Sequence, residues 1–288
     1  MSESRYTSLD RPPLSEQALT SALTGPNGSW RALAVVAETG STNADVAARA
    51  VDGEAEGLVL VTDHQRAGRG RLSRTWSSPP RSSLAVSVLL RPQGVPAERL
   101  GWLPLLGGLA VVDALTSRCG LPARLKWPND VLVTEEGEER KVCGILAEVV
   151  PGHGTAPDGQ GLAVVLGAGI NVTQTRAELP VPAATSLRLA GAATTDRDTV
   201  LRAYLRALAV RYRAFVAAAG DPRSSGIGSA YREACATLGR QVEIHLPSGS
   251  AERGLAQEVD DEGRLVVLVG EEPRPFAAGD VVHVRGQA

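Results

Sequence analysis

Residues 64–76 read His-Gln-Arg-Ala-Gly-Arg-Gly-Arg-Leu-Ser-Arg-Thr-Trp. Arg69, Arg71 and Arg74 bring permanent charge and planar forks that match carboxylates and phosphates. Gly68 and Gly70 let the backbone approach a ligand closely. Such a loop is suited to holding an anion. If a carboxylate is to meet a nucleotide phosphate, the two repel by about 4 kcal/mol at ~4 Å and an effective dielectric near 20. Fixed cations offset that repulsion and stabilise charge on a transferring phosphoryl group. The plain alternative is a solvated basic turn. Against it, the cations are concentrated here while the 288-residue chain has a net charge of only −2. His64 by itself carries little weight.

Three other stretches hold chemistry-bearing residues. Ser41-Thr42-Asn43 sits at an expected helix start. There it can act simply as a cap, or supply donors and acceptors to a small polar ligand. Lys126-Trp127-Pro128-Asn129-Asp130 interrupts an apolar run, because proline cannot donate to a strand ladder. Asp130 could accept from a ribose or help hold a hydrated Mg²⁺; a strand end with a buried tryptophan is the equal alternative. Lys141 opens the apolar run 142–146 beside Gly144. It either snorkels or meets a phosphate or carbonyl oxygen. Cys143 has no identifiable base partner and reads as a small buried apolar residue. Gly167-Ala168-Gly169-Ile170-Asn171 is half a dinucleotide fingerprint, but Val172 occupies the sixth position and no clear helix follows. There is no P-loop and no nucleophile elbow.

Several elements must position these groups. Strands are expected at 33–36, 58–62 and 84–90, and a helix capped by Ser41 or Thr42, with Asp45 completing a capping-box variant. A buried helix is expected at 103–119, with Gly120 as its C-cap and close packing at Gly107 and Gly108. Strands at 125–134, 142–150 and 162–172, joined by 135–139 and 151–161, imply antiparallel pairing. Val200, Tyr204, Leu208, Tyr212 and Phe215 mark an amphipathic helix over 198–219. Strands at 242–246, 254–259, 265–269 and 281–284, with turns at 247–249 and 261–263, read as a small β-barrel.

The division expected is an N-terminal extension (1–30, flexible or loosely docked), a catalytic domain (31–225) and the barrel (238–286). At 43% hydrophobic, the chain can bury one large core plus a satellite. Near-neutral charge gives no global sign of nucleic acid or anionic membrane. Cys119, Cys143 and Cys235 form no zinc or disulfide pattern, which fits a reducing cytoplasm. No signal peptide or spanning run is expected.

Taken together, Ser41-Thr42-Asn43, Gln65 with Gly68 to Arg71, the segment 126–130, the segment 141–146 and the segment 167–171 resemble the biotin protein ligase family in order and spacing, over roughly residues 32–285. The resemblance implies an α+β fold: an antiparallel sheet flanked by helices, similar to class II tRNA synthetases, plus an SH3-like barrel. It implies an ATP-dependent ligase that makes biotinyl-5′-AMP and then biotinylates a lysine of the biotin carboxyl carrier domain of acyl-CoA or pyruvate carboxylases. Arg69, Arg71 and Lys141 would be catalytic. Ser41, Thr42, Asn43, Gln65, Gly68, Arg69, Gly70, Arg71, Lys141, Gly144 and Gly169 would contact biotin. Arg71, Arg74, Trp76, Lys126, Asn129, Asp130 and Asn171 would serve the nucleotide. Mg²⁺ is implied, with Asp130 the candidate ligand and the rest of the set unknown.

Adenylation needs a carboxylate, an in-line phosphate, a metal and fixed cations, and no protein nucleophile. A carboxylate could deprotonate the acceptor lysine, but none is singled out. Two departures stand out. Leu72 and Ser73 replace the continuous basic run GRGRRGR of many members, which predicts a strap that orders less tightly or releases the adenylate more readily. The N-terminal stretch has no room for the winged helix of the repressing members, which predicts a monofunctional enzyme without nucleic-acid binding. A lipoate ligase on the same scaffold and a non-catalytic repressor are the alternatives.

Overall fold

The computed structural model describes residues 11–26, 28–72, 74–150, 162–246 and 249–284. Expectations falling on residues 1–10, Ser73, 151–161, Pro247-Ser248 and 285–288 lie outside the described residues. The chain runs through α1 (Glu16–Leu23), β1 (Ala32–Val36), α2 (Thr42–Val51), β2 (Leu58–Thr62), β3 (Gly68–Arg69), β4 (Thr75–Trp76), β5 (Ser83–Leu90), α3 (Trp102–Cys119), β6 (Ala123–Lys126), β7 (Asp130–Glu135), β8 (Glu138–Val149), β9 (Val164–Asn171), α4 (Arg197–Ala217) and α5 (Ile227–Ala234). Five strands follow: β10 (Gln241–His245), β11 (Ala251–Val259), β12 (Leu265–Val269), β13 (Glu272–Phe276) and β14 (Asp280–His283).

Seven strands form the main sheet in the order β1-β2-β5-β9-β8-β7-β6. The pairing departs from the wholly antiparallel expectation at one place. β1 and β2 are parallel, because the chain between them crosses over through α2. A second departure lies in the run 125–134. It folds back on itself as the hairpin β6–β7, with Lys126 opposite Asp130 and Trp127-Pro128 at the bend.

β5 is buried along its whole length because both faces of the sheet are covered there. Val46 and Ala50 of α2 cluster with Leu58, Leu60, Leu89 and Val165 on one face. The apolar side chains of α3 and α4 fill the other. Gly107 and Gly108 allow α3 to lie close on the sheet: a Cβ on Gly108 would stand 2.9 Å from Leu125 Cδ2. α3 is apolar and long enough by composition to cross a bilayer, contrary to the sequence expectation. Most of that apolar window is buried inside the fold, so its hydrophobicity is used in the core.

The lead-in is not loosely docked over residues 16–23. There α1 inserts Leu19 and Leu23, both 0% exposed, against β1 and α4. Two fully buried leucines contribute about 3–6 kcal/mol of transfer free energy. Only two large apolar residues in eight, Leu19 and Leu23, advertise this helix.

The C-terminal strands pair antiparallel in the order β13-β12-β11-β10-β14. β13, with proline at two of its five positions, was not foreseen. This sheet is fastened to the main one by its 260–264 turn. Trp102 Nε1 donates to Asp261 O at 3.0 Å and Trp127 Nε1 to Gly263 O at 3.1 Å. A Cβ on Gly101 would lie 2.3 Å from Glu262 O, so the two backbones meet directly.

Candidate functional site

The N-terminus of α2 faces β5 and β9. Ser41 caps the helix, so the capping alternative holds for that hydroxyl, and its neighbours do something else. Gln65 Oε1 accepts from Thr42 N at 2.8 Å and Thr42 Oγ1 at 3.0 Å. Ser87 Oγ lies 2.7 Å from Thr42 Oγ1 and 2.6 Å from Asn43 Oδ1. Asn43 Nδ2 donates to Glu148 Oε2 at 2.7 Å. A Cβ on Gly167 would fall 2.1 Å from Asn43 Oδ1. A hydrogen-bonded polar cluster, with the Glu148 carboxylate behind it, therefore closes one end of a cleft.

The arginine segment forms a strap over that cleft. β3 and β4 make a two-residue ladder, Gly68 with Trp76 and Arg69 with Thr75. Gly70 N donates to Arg74 O at 2.7 Å. Gly68 has to be glycine, since a Cβ would sit 2.4 Å from Trp76 O. Leu72 takes the left-handed backbone (φ 53°) at the tip, with its side chain half exposed. The Trp76 indole lies on Gly169 and Gly144, where added Cβ atoms would stand 2.6 Å and 3.4 Å from the ring. Trp76 Nε1 is buried and has no hydrogen-bond partner among the described residues.

A β-bulge prepares the third wall. Leu132 pairs with Lys141 while the adjacent Val131 pairs with Cys143. The extra residue in β8 puts Lys141, Gly144, Leu146 and Glu148 on one face, half-buried, while Cys143 and Ile145 turn into the core. Bulges re-aim side chains in this way beside functional sites. Burial pushes the Cys143 thiol far up, which agrees with a small buried residue and not a nucleophile.

Charge is paired across the cleft. Lys141 Nζ lies 2.6 Å from Asp130 Oδ1. Arg69 Nη2 is 3.2 Å from Glu148 Oε2, and Arg74 pairs with Asp280 of β14. Arg71 Nη1 donates to Asn129 Oδ1 at 3.2 Å. Burial lowers the pKa of Arg71 and of Lys126, with Asp130 and Asp280 pulling each back up. Arg69, Arg71, Arg74, Lys126 and Lys141 thus meet three carboxylates and keep a cationic surplus. Among the described residues no group of three or more His, Cys, Asp or Glu side chains could hold a metal.

One cavity of about 780 Å³ collects these groups. Ser41, Thr42, Asn43, Gln65, Arg69, Gly70, Arg71, Arg74, Trp76, Lys126, Asn129, Asp130, Lys141, Gly144, Gly169 and Asn171 all border it. Gly68 does not; it supports the strap from behind. Asn171 lines the wall, but its amide is engaged: Nδ2 donates to Thr185 O at 2.9 Å and Oδ1 accepts from Gln174 at 3.0 Å. His64 pairs with Glu38 and is absent from the lining. Glu148 and Asp280 were missed, and His245 and Val282 join Asp280 in walling the cleft from the C-terminal sheet. No local signal marks Asp280, whose partner is 206 residues away. Glu148 could have been found by counting in twos from Gly144.

Comparison with known proteins agrees with this geometry. The Biotin/lipoate A/B protein ligase family matches residues 38–171, and the Biotin protein ligase C terminal domain matches residues 237–284. The biotin--[acetyl-CoA-carboxylase] ligase of Mycobacterium tuberculosis is 42% identical over 279 residues, 96% of this chain and 97% of that protein. The bifunctional ligase/repressor BirA of Bacillus subtilis is 31% identical over 229 residues, 78% of this chain and 66% of that protein. The biotin protein ligase of Aquifex aeolicus in complex with biotin and ATP superposes with a TM-score of 0.70 at 28% identity, covering 89% of this chain and all of that one. The cationic strap and its cleft lie in a chain whose two domains match these family models and whose 42% identical relative is matched along nearly its full length, so this protein belongs to the biotin protein ligase family.

Proposed function

We propose that this chain joins biotin to ATP as biotinyl-5′-AMP, releasing pyrophosphate, and then passes the biotinyl group to a lysine of a biotin carboxyl carrier domain. One observation carries the reading: the cleft is lined by polar side chains at the α2 end and is cationic at the strap end. An uncharged ring amide suits the first end, and a carboxylate meeting phosphates suits the second.

In the first step a carboxylate oxygen forms the bond to the α-phosphorus while the bond to pyrophosphate breaks. Pyrophosphate leaves with the electron pair. Lys141, on the cleft face of β8, is placed to neutralise both reacting anions. Arg71, held by Asn129, and Arg69 roof them over. Trp76 and Lys126 border the part of the cleft assigned to the nucleotide. A preorganised cation of this kind is worth about 10²–10³ in rate. Mg²⁺ keeps several waters and needs only one or two protein carboxylates beside phosphate oxygens. Asp130 fits that role as a carboxylate that borders the cleft beside Lys141, 2.6 Å from its ammonium. When bound, Mg²⁺ supplies charge neutralisation at the phosphates. In the second step the lysine amine attacks the acyl carbon, AMP leaves with the electron pair, and the amine proton is lost.

The carrier of acetyl-CoA carboxylase is the first acceptor to test, by similarity to the Mycobacterium tuberculosis ligase; pyruvate carboxylase carriers extend the class. The cytoplasm is the compartment proposed, consistent with three buried free thiols. Purified protein with labelled biotin, ATP, Mg²⁺ and an unmodified carrier domain should release pyrophosphate and label the carrier. Lipoate in excess should not compete. Absence of both pyrophosphate and labelled carrier rejects the reading, and preferential use of lipoate reassigns the substrate.

A further inference from the structure

Among the described residues, Glu148 is the acid that touches both the polar end of the cleft and its roof. A single oxygen, Oε2, accepts from Asn43 Nδ2 at 2.7 Å and from Arg69 Nη2 at 3.2 Å. Asn43 belongs to α2 and Arg69 to the strap, so two elements 26 residues apart in sequence converge on one carboxylate.

The Asn43 amide has no freedom to choose otherwise. Nδ2 is its sole donor group and faces two acceptors, Glu148 Oε2 and Leu146 O. Oδ1 is pressed against the bare Cα of Gly167 and faces the Ser87 hydroxyl. Ser87 has one proton to give and stands between Asn43 Oδ1 and Thr42 Oγ1, and Thr42 in turn meets Gln65. The carboxylate at 148 thus fixes the Asn43 amide beside the Ser87 hydroxyl, whose single proton serves Asn43 Oδ1 or Thr42 Oγ1 at any one time. Charged acceptors make the stronger hydrogen bonds, and a satisfied network is rigid where a broken one is costly.

Given the ligase reading above, we propose that Glu148 is a positioning residue that couples the two halves of substrate capture. Through Asn43 it sets the hydrogen-bonding pattern presented to the head of biotin, and through Arg69 it holds the strap down over the adenylate. It does not line the cavity, so it acts through these two groups and not on the reacting atoms.

The two contacts separate by substitution. Glu148→Gln keeps an oxygen acceptor for Asn43 but removes the charge that holds Arg69. The Arg69–Glu148 pair is partly exposed, 48% and 32%, and such pairs are weak. Adenylate should escape about threefold faster, with the KM for biotin unchanged. Glu148→Ala also leaves Asn43 Nδ2 without its carboxylate, and the KM for biotin should rise about tenfold in addition. Glu148→Asp should recover part of the KM. In an Arg69→Ala background, Glu148→Gln should add nothing to adenylate escape, because the partner is already gone.

The measurements are the dissociation rate of preformed biotinyl-5′-AMP, biotin KM and thermal midpoint for each variant of the full chain. Independent, multiplying losses in the Arg69→Ala/Glu148→Gln pair would overturn the proposal. So would wild-type adenylate retention in Glu148→Gln, or losses in all variants that merely follow a lowered thermal midpoint. Failure of the ligase reading looks different: no variant, and no wild-type protein, would form adenylate at all.

Discussion

Gly169→Ala tests whether the strap is seated by contact with the glycine floor. Gly169 lies in mid-sheet opposite Ala85 and Gly144 and is not among the positive-φ glycines. Alanine therefore suits its backbone, and it removes a glycine penalty of about 0.5–1 kcal/mol. The new methyl, however, would stand 2.6 Å from Trp76 Cε2 and 2.7 Å from Cζ2. Overpacking of that kind costs about 1–3 kcal/mol. Trp76 belongs to the strap and not to the core, so the strain is relieved by lifting the strap. The closed fraction should fall roughly 5- to 150-fold, while the thermal midpoint barely moves. The assay is the rate of adenylate loss, read beside intrinsic fluorescence. The indoles of Trp30, Trp102 and Trp127 donate to the carbonyls of Leu205, Asp261 and Gly263, so a change in emission reports mainly on Trp76. Wild-type retention with unchanged emission would refute the reasoning. So would a Gly169→Ala effect that persists undiminished on a Trp76→Ala background.

Other outcomes follow from the same geometry. Lys141→Met should lower the adenylation rate about 10²–10³-fold, measured by single-turnover pyrophosphate release; a loss confined to ATP affinity would contradict its role. Residues 64–76 should be cut by protease in the free protein and protected by adenylate, because a short two-residue ladder opens easily; equal cleavage in both states would count against closure. His283 is depressed from 6.5 to about 4, first by burial and then by the Lys126 and Arg240 charges. It stays neutral, facing Thr237 Oγ1 at Nε2 and Arg240 at Nδ1. Its folded pKa lies below the unfolded one, so its share of stability is complete above pH 6.5 and is lost as pH falls toward 4. His283→Gln should flatten that part of the curve of thermal midpoint against pH.

Local chemistry was legible because it is written locally. Gly68, Arg69, Gly70 and Arg71 announce an anion loop, Pro128 announces a break, and the αL conformation of Gly120 ends α3 where glycine was expected to end it. The close approach at Gly107 and Gly108 also followed from two poor helix formers inside a helix. The hairpin β6–β7 was missed because Leu125 and the apolar run 131–133 read as one strand interrupted at Pro128, and periodicity does not show a reversal of direction. β13 was missed because its prolines argue against a strand, although they stand at the edge of the C-terminal sheet, where a missing donor costs little.

The sequence by itself named a concentrated set of cations, Arg69, Arg71, Arg74, Lys126 and Lys141, and roughly where the strands and long helices begin. Only the tertiary structure decided which carboxylates answer those cations. Glu148 meets Arg69 across 79 residues and Asn43 across 105, and Asp280 reaches Arg74 across 206. Those meetings depend on sheet register, on the bulge in β8 that turns Lys141 and Gly144 to one face, and on the 260–264 turn that fastens the C-terminal sheet beside the cleft. Hydrogen-bond register is a property of strand pairs, and no single strand carries it in its own residues.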